Sequence, residues 1–191
     1  MPKVSIDNLE IPYGVAYRSV RYPRLEFKTG NLLVIMPKGK KSAKAIVEKH
    51  KKWIAQKTSA ISEALLRSRK KRLNLGGSKQ HLKKLVLEFA GKFASKYDFH
   101  IKGFYFRAMN SKWASHSKND NLTLNTALRY LPQRLIEYVV FHEMAHSVER
   151  RHNKRFWKTV ELEFRNHKQM EDNLMAYWFI VHERAQTEGI H

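Results

Sequence analysis

The sequence predicts an α+β protein, with an N-terminal antiparallel β-rich lobe followed by a helical lobe that contains a short sheet. Residues 15–37 alternate apolar and polar side chains, which is typical of half-buried strands. From Ala43 onward, apolar residues recur at intervals of three and four, which is typical of amphipathic helices. A chain of 191 residues is long enough for one hydrophobic core, or for two small lobes that share one.

The N-terminal strands are expected to end at Pro37, with a hairpin turn at Gly30-Asn31, because that pair interrupts the alternating pattern. The helical pattern then runs from Ala43 to about Arg69. It predicts one long helix, or two helices in line.

Residues 67–78 combine clustered positive charge with adjacent glycines, a composition typical of a linker. The lobe boundary is therefore expected in this segment. We predict a β-rich segment and a long basic helix in residues 1–75, and a second domain in residues 76–191.

The second domain is expected to hold helices that surround two short strands. Its apolar periodicity changes between the helical and the strand pattern several times, and a polar loop at residues 111–120 separates the strands. The expected elements are a helix at 79–97, strands at 103–109 and 121–126, and helices from near Pro132 to 149, at 153–167 and at 170–184.

The composition limits the chemistry. Lys and Arg number 37 against 17 Asp and Glu, which gives a net charge of +20 and favours polyanionic partners. The chain has no cysteine, so disulfides, thiolate metal sites, Fe–S clusters and cysteine nucleophiles are excluded. Any metal must be bound by histidines and carboxylates.

The N-terminal residues 1–14 carry charges and prolines where a signal peptide needs an apolar segment. No apolar run in the sequence approaches the length of a membrane span. These features predict a cytoplasmic protein with no membrane partner.

The motif that carries chemistry is His142-Glu143-Met144-Ala145-His146, inside the helix expected from Pro132. Residues four apart lie on one helix face, so His142 and His146 can bind a single cation. Glu143 lies about a hundred degrees round the helix axis, where it can reach a water without binding the metal. This HExxH pattern predicts a Zn²⁺ site with Glu143 as the general base for peptide hydrolysis.

A catalytic zinc site usually has three protein ligands and one open position, so a third ligand is needed. His152 follows the motif and precedes Asn153, a good N-cap residue, so a tight turn can return its ring toward the metal. The alternative ligand is a carboxylate further along the chain, Glu161 or Glu163. We favour His152.

Several segments resemble the YgjP-like metallopeptidases, which are relatives of the SprT-like zinc proteins with a minimal zincin or gluzincin core. The resemblance covers nearly the whole chain. It rests on the β-rich segment 11–39, the Trp53-Ile54 pair, a WGSCS-like turn at 111–117, the strand at 122–125, and the segments VVFHEMAH and HNKRFW. It implies a zincin-like catalytic domain with zinc bound by His142, His146 and His152.

Two residues depart from the family turn, because its glycine is Ala114 here and its cysteine is His116. Any role of that small residue or thiol is therefore in doubt. The resemblance also implies that the strand near residues 122–126 borders the cleft, with an extended substrate peptide beside Leu122, Leu124 and Asn125. The residue that stabilises the oxyanion stays open among Arg107, His116 and Tyr138.

The basic residues suggest a second function. Sixteen Lys or Arg lie within residues 38–84, against only Glu48 and Glu63, and such a density can follow nucleic-acid phosphates. The likeness to SprT-like proteins, which act on proteins attached to DNA, agrees with this interpretation. The alternative to a zinc metallopeptidase is therefore a nucleic-acid-associated protein whose zinc site is structural or acts only on DNA-bound proteins.

Overall fold

The computed structural model describes residues 1–6, 9–28, 30–39 and 42–188. The chain forms two compact units, Met1–Leu66 and Arg67–His191. Strands predominate at the N-terminus and helices towards the C-terminus, so the predicted α+β class is confirmed. The domain ranges 1–75 and 76–191 stay a prediction.

Among the described residues, four strands form the sheet of the first unit. The order is β1-β2-β4-β3, and the strands are β1 (Lys3–Ile6), β2 (Leu9–Arg18), β3 (Arg24–Lys28) and β4 (Asn31–Pro37). The pairs β1–β2 and β3–β4 are antiparallel, whereas β2 and β4 are parallel. The sheet is therefore mixed, because a polarity pattern predicts which face of a strand is buried but not the direction of its neighbour.

A hairpin joins β3 to β4, and Gly30 has a positive φ of 87° that favours glycine. Asn31, the other residue of the predicted turn, is instead the first residue of β4 and lies opposite Lys28. Two helices follow, α1 (Lys44–Lys49) and α2 (Lys51–Ser68). They are separated by His50, whose ψ of 18° is not helical. Val47 and Ile54 from these helices pack in the core formed by the sheet.

The second unit begins at Arg67, before its first complete helix. The elements are α3 (Lys79–Tyr97), β5 (Gly103–Arg107), β6 (Ala114–His116), β7 (Asn121–Asn125), a 3₁₀ helix (Thr126–Tyr130), α4 (Gln133–Ala145), α5 (Lys154–Glu161) and α6 (His167–Glu188). Residues 67–78 belong to this unit: the N–H of Asn74 donates to the carbonyl of Tyr130 at 2.9 Å. A Cβ on Gly77 would lie 2.0 Å from the carbonyl oxygen of Arg129, so this close approach requires glycine.

The sheet of the second unit has the order β5-β7-β6, with β5 parallel and β6 antiparallel to β7. Strand β6 lies inside the segment 111–120 that the sequence predicts as a loop. Its three residues are too few to show a periodicity.

Helix α4 crosses the core of the second unit and is buried along most of its length. Phe141 contacts Phe93 and Phe164, with ring centroids 4.8 and 5.7 Å apart. The helix ends at Ala145, earlier than the predicted end near residue 149. Within the described part of the chain, no helix is both long and apolar enough to cross a membrane.

Candidate metal centre

His142 lies in the last turn of α4, and His146, the C-cap residue of this helix, lies one turn further on the same face. The ring of His142 packs against Phe156 of α5, with 4.9 Å between ring centroids, and His146 stacks on the same phenylalanine at 4.6 Å. Phe156 is fully buried. The buried ring of Phe156 therefore supports both imidazole rings and limits their rotation.

His152 reaches the same place from the turn between α4 and α5. The side chain of Asn153 accepts hydrogen bonds from the N–H groups of Arg155 and Phe156, as an N-cap does. This cap fixes the start of α5 directly after His152. The ring of His152 lies 5.0 Å from that of His142 and 4.9 Å from that of His146, measured between centroids.

The three histidine rings approach one another through their Nε2 atoms. Nε2 of His152 lies 3.1 Å from Nε2 of His142 and 3.2 Å from Nε2 of His146. Nitrogen ligands about 2.05 Å from a tetrahedral Zn²⁺ are about 3.3 Å apart, so the observed separations fit a zinc ion with a small adjustment. Three imidazole nitrogens aimed at one point are a donor set that suits this metal.

The other ring nitrogen, Nδ1, lies near an oxygen acceptor in both His142 and His146. Nδ1 of His142 lies 3.4 Å from Oε1 of Glu171, and Nδ1 of His146 lies 3.1 Å from the carbonyl oxygen of Glu149. An acceptor at Nδ1 favours the tautomer that carries its proton there, which leaves Nε2 free to bind a cation. Burial, followed by the neighbouring histidines, lowers the pKa of His142 to about 3, so its imidazole is neutral at pH 7.

Glu143 follows His142 in the last turn of α4 and is half-buried. Burial raises its pKa to about 7, although the N–H of His116 and the charge of Lys112 act in the opposite direction. A carboxyl group with this pKa exchanges a proton readily near neutral pH.

A cavity of about 310 Å³, here called the Glu143 cavity, adjoins this carboxyl group. Strand β6 forms one wall and α4 the other. The lining residues are Lys112, Ala114, Ser115, His116, Glu143, His146 and Arg150. The cavity is therefore open to the candidate base and to one candidate metal ligand together.

His116, which replaces the cysteine of the family turn, has a buried ring in this cavity wall. Nε2 lies 3.5 Å from Oδ1 of Asp120, and neither ring nitrogen has a hydrogen-bond partner within the described residues. Burial lowers the pKa of His116, so the ring is neutral at pH 7. Of the other residues left open for the oxyanion, Tyr138 is buried and bonded to Glu171, and Arg107 is exposed on β5.

The alternative carboxylate ligands lie elsewhere. Glu163 accepts hydrogen bonds from Lys96 and Tyr97, both at 2.7 Å, and Glu161 lies 3.3 Å from Nε2 of His167. Over the described ranges, the group with metal-ligand geometry at the motif contains the three histidines and no carboxylate. The geometry therefore favours His152 over either glutamate.

The expected substrate contacts of Leu122, Leu124 and Asn125 need correction. All three side chains are buried, with 0%, 0% and 1% exposure. They belong to β7, the central strand, whose backbone is paired on both sides by β5 and β6. A central strand has no free edge for a substrate backbone.

Sequence reasoning missed Glu171, Trp157 and Arg150 at the site. Glu171 contacts His142 from α6, Trp157 lies 5.6 Å from the ring of His152, and Arg150 lines the Glu143 cavity. Arg150 lies close to the motif in sequence, which is the one signal that pointed to it. Glu171 comes near only through the packing of α6, so no local pattern indicates it.

Comparison with known proteins identifies the family of the chain. The family model described as "YgjP-like, metallopeptidase domain" matches residues 69–177. The matched region, which is more than half of the chain, defines a metallopeptidase domain. The chain belongs to the YgjP-like family, which implies a metal ion and peptide or protein substrates.

Two solved structures are similar over part of the chain. The metallopeptidase zymogen abylysin of Pyrococcus abyssi is 25% identical with a TM-score of 0.44, and the match covers 47% of this chain and 91% of that one. The metallopeptidase zymogen jannalysin of Methanocaldococcus jannaschii is 23% identical with a TM-score of 0.40, over 49% of this chain and 90% of that one. Comparison with curated proteins gives no match.

Proposed function

We propose that this metallopeptidase is a zinc-dependent endopeptidase with an HExxH site. Its ligands are His142, His146 and His152, and its general base is Glu143. One observation carries the proposal, namely the convergence of the three Nε2 atoms at separations of 3.1 and 3.2 Å. Three protein ligands leave one coordination position open, as catalytic zinc sites require.

Zinc is the metal that best suits this donor set, because neutral imidazoles are good zinc ligands and the sequence offers no thiolate. When bound, zinc acts as a Lewis acid that polarises the substrate carbonyl and lowers the pKa of a water molecule. Glu171, whose Oε1 lies 3.4 Å from Nδ1 of His142, favours the tautomer of His142 that leaves Nε2 free.

Glu143 moves the proton in this mechanism. Its carboxylate removes a proton from the attacking water and later donates that proton to the leaving amine. The pKa of about 7 that burial produces lets the same group act as base and then as acid near neutral pH. The N–H of His116 hydrogen-bonds to the carboxylate and orients it.

Strand β6 is the element we propose for binding the substrate backbone. Within the described residues it pairs only with β7, so its other edge can pair with an extended peptide. Ala114, Ser115 and His116 line the Glu143 cavity, so a peptide on this edge would lie beside the candidate base. Backbone pairing binds many sequences, and selectivity then depends on side-chain pockets.

The test separates proton transfer from metal binding. Glu143→Gln removes the base but no ligand, so zinc content should stay near one equivalent while kcat for an unfolded substrate such as casein falls by about 10²- to 10⁴-fold. Glu88→Gln, an exposed substitution on α3, is the matched control and should behave as the parent. Full activity of Glu143→Gln would contradict the proposal.

Nucleic-acid binding by the basic residues 38–84 stays a prediction. It is supported by the net charge of +20, and the similar proteins named above are described only as metallopeptidases. Lys40 and Lys41 of this segment lie outside the described residues. Affinity for duplex or single-stranded DNA should fall by orders of magnitude from low to physiological salt, and absence of binding at low salt would exclude this function.

A further inference from the structure

A second cavity adjoins the histidine cluster on the side of His142. It has a volume of about 640 Å³, and we call it the Trp157 cavity; its lining is Trp157, Glu161, His167, Lys168, Glu171 and Asp172. Two of these residues contact the candidate ligands. Oε1 of Glu171 lies 3.4 Å from Nδ1 of His142, and the ring of Trp157 lies 5.6 Å from that of His152.

The two cavities differ in charge. The Glu143 cavity has Lys112 and Arg150 against one carboxyl group. Among the described residues, the Trp157 cavity has three carboxylates against one ammonium group, although its chain carries a net charge of +20. The charged groups that line the two cavities are therefore mostly of opposite sign.

The carboxylates of the Trp157 cavity remain accessible. The side chains of Glu161, Glu171 and Asp172 are 52%, 44% and 57% exposed. Asp172 pairs with Arg67 at 2.7 Å, whereas Glu161 contacts a histidine and Glu171 a tyrosine. Neither of those two glutamates is neutralised by a lysine or arginine in the contacts that they make here, so both can accept from a cationic ligand.

The wall of the cavity is aromatic and polar. Trp157 stacks on His167 with 4.6 Å between ring centroids and an angle of 20°. His167 is only 6% exposed, and its Nδ1 has no hydrogen-bond partner in the described part of the chain. Trp157 is half-buried, and its exposed part offers apolar surface beside the carboxylates, which favours a cation with an apolar stem. A buried polar atom without a partner marks a place where a ligand can complete the hydrogen bonding.

We propose that the Trp157 cavity is the specificity pocket for a lysine or arginine side chain of the substrate. The aliphatic stem would lie against the exposed part of Trp157. The cationic end would approach Glu161 and Glu171 rather than Asp172, which already pairs with Arg67. Lys112 and Arg150 disfavour the same side chain in the Glu143 cavity. The inference deepens the proposed function, because it assigns the substrate class of that peptidase site.

The experiment uses the zinc-loaded full chain and a set of quenched fluorescent peptides. The peptides are identical except at one position, which carries Lys, Gln or Glu and is moved along both sides of the cleaved bond. At one position on one side, kcat/KM should rank Lys above Gln above Glu, with about five- to tenfold between Lys and Gln, as expected for partly exposed charge pairs with a cation–π contact. The preference should weaken as salt is raised.

Variants connect the preference to the cavity. In Glu161→Gln, the ratio of kcat/KM for Lys over Gln should fall toward one, mainly through KM for the Lys peptide. Zinc content is measured on the same sample and should stay near one equivalent. Glu88→Gln removes a carboxylate from an exposed site on α3 and should keep the full preference.

The outcomes distinguish this inference from the proposed function. If the parent protein cleaves neither the peptides nor unfolded casein, the proposed peptidase site is wrong, and the proposal of a specificity pocket is then wrong as well. If it cleaves the Lys, Gln and Glu peptides equally, or if the full preference survives in Glu161→Gln, the proposed peptidase function is retained and the pocket assignment is wrong.

Discussion

The hydroxyl of Tyr138 donates a hydrogen bond to Oε1 of Glu171 at 2.5 Å, and the same oxygen lies 3.4 Å from Nδ1 of His142. Tyr138 is fully buried in α4, and burial raises its pKa well above the usual range. The phenol therefore stays protonated and acts as the hydrogen-bond donor. Glu171 comes from α6. This contact holds a carboxylate beside the candidate metal ligand and favours the tautomer of His142 whose Nε2 faces the other histidines.

Replacement of that carboxylate should weaken metal binding. In Glu171→Gln, the zinc dissociation constant, measured by competition with a chelator, should rise by about 10- to 100-fold, as is typical when the partner of a ligating histidine is removed. Tyr138→Phe should give a smaller increase in the same direction. Asp172→Asn, the neighbouring carboxylate on α6, should leave the constant unchanged, and equal affinities for all three variants would exclude a positioning role.

The third ligand can be identified by metal content. His152→Ala should lose zinc to the same extent as His142→Ala, because its Nε2 lies 3.1 Å from Nε2 of His142. Glu161→Ala and Glu163→Ala should keep about one equivalent by elemental analysis. Retention of zinc in His152→Ala, together with its loss in either glutamate variant, would assign the ligand to the carboxylate.

The raised pKa of Glu143 predicts how the stability of the metal-free protein depends on pH. A carboxyl group whose pKa rises from 4.5 to about 7 on folding lowers the free energy of unfolding as pH increases through that window. Glu143→Gln removes this effect. Urea unfolding in the presence of a chelator should find the variant more stable by up to about 3 kcal/mol at pH 8, and by about 1 kcal/mol or less at pH 5.

Glu149 supplies a control of opposite sign. The N–H of Arg151 and the side chain of Asn153 lower the pKa of Glu149, so its ionised form favours the folded state above its usual pKa. Glu149→Gln should therefore be less stable than the parent at pH 8, with the difference disappearing as pH falls. A stabilising effect of both substitutions at pH 8 would disagree with the opposite pKa shifts of these two glutamates.

The core beneath the site should be sensitive to truncation. Phe141 is fully buried and contacts Phe93, Tyr97, Phe99 and Phe164. Phe141→Ala should lower the free energy of unfolding by about 3–5 kcal/mol in urea titrations. Phe141→Leu should lower the free energy of unfolding by clearly less, because leucine retains much of the buried volume. Equal losses in the two variants would indicate that stability does not depend on the packing volume at this position.

Much of the candidate site follows from local sequence patterns. His142 and His146 lie on one face because helical geometry relates residues four apart, and the N-cap of Asn153 is a local interaction that places His152 at the start of α5. The helix α3 begins and ends at the predicted residues, Lys79 and Tyr97, because its apolar face is continuous. The end of α4 was predicted too late, because apolar periodicity does not indicate where the backbone turns.

The α+β class, the helix that carries the motif and the position of His152 near it could be predicted from the sequence, because each depends on residues close together in the chain. The folded structure was needed to show that β7 is the central strand and β6 an edge strand in the described part of the sheet. It was also needed to show that Glu171, 33 residues from Tyr138, lies beside His142. Strand order and helix packing are set by contacts between distant segments. The periodicity of one segment contains no information about which distant side chain will face it.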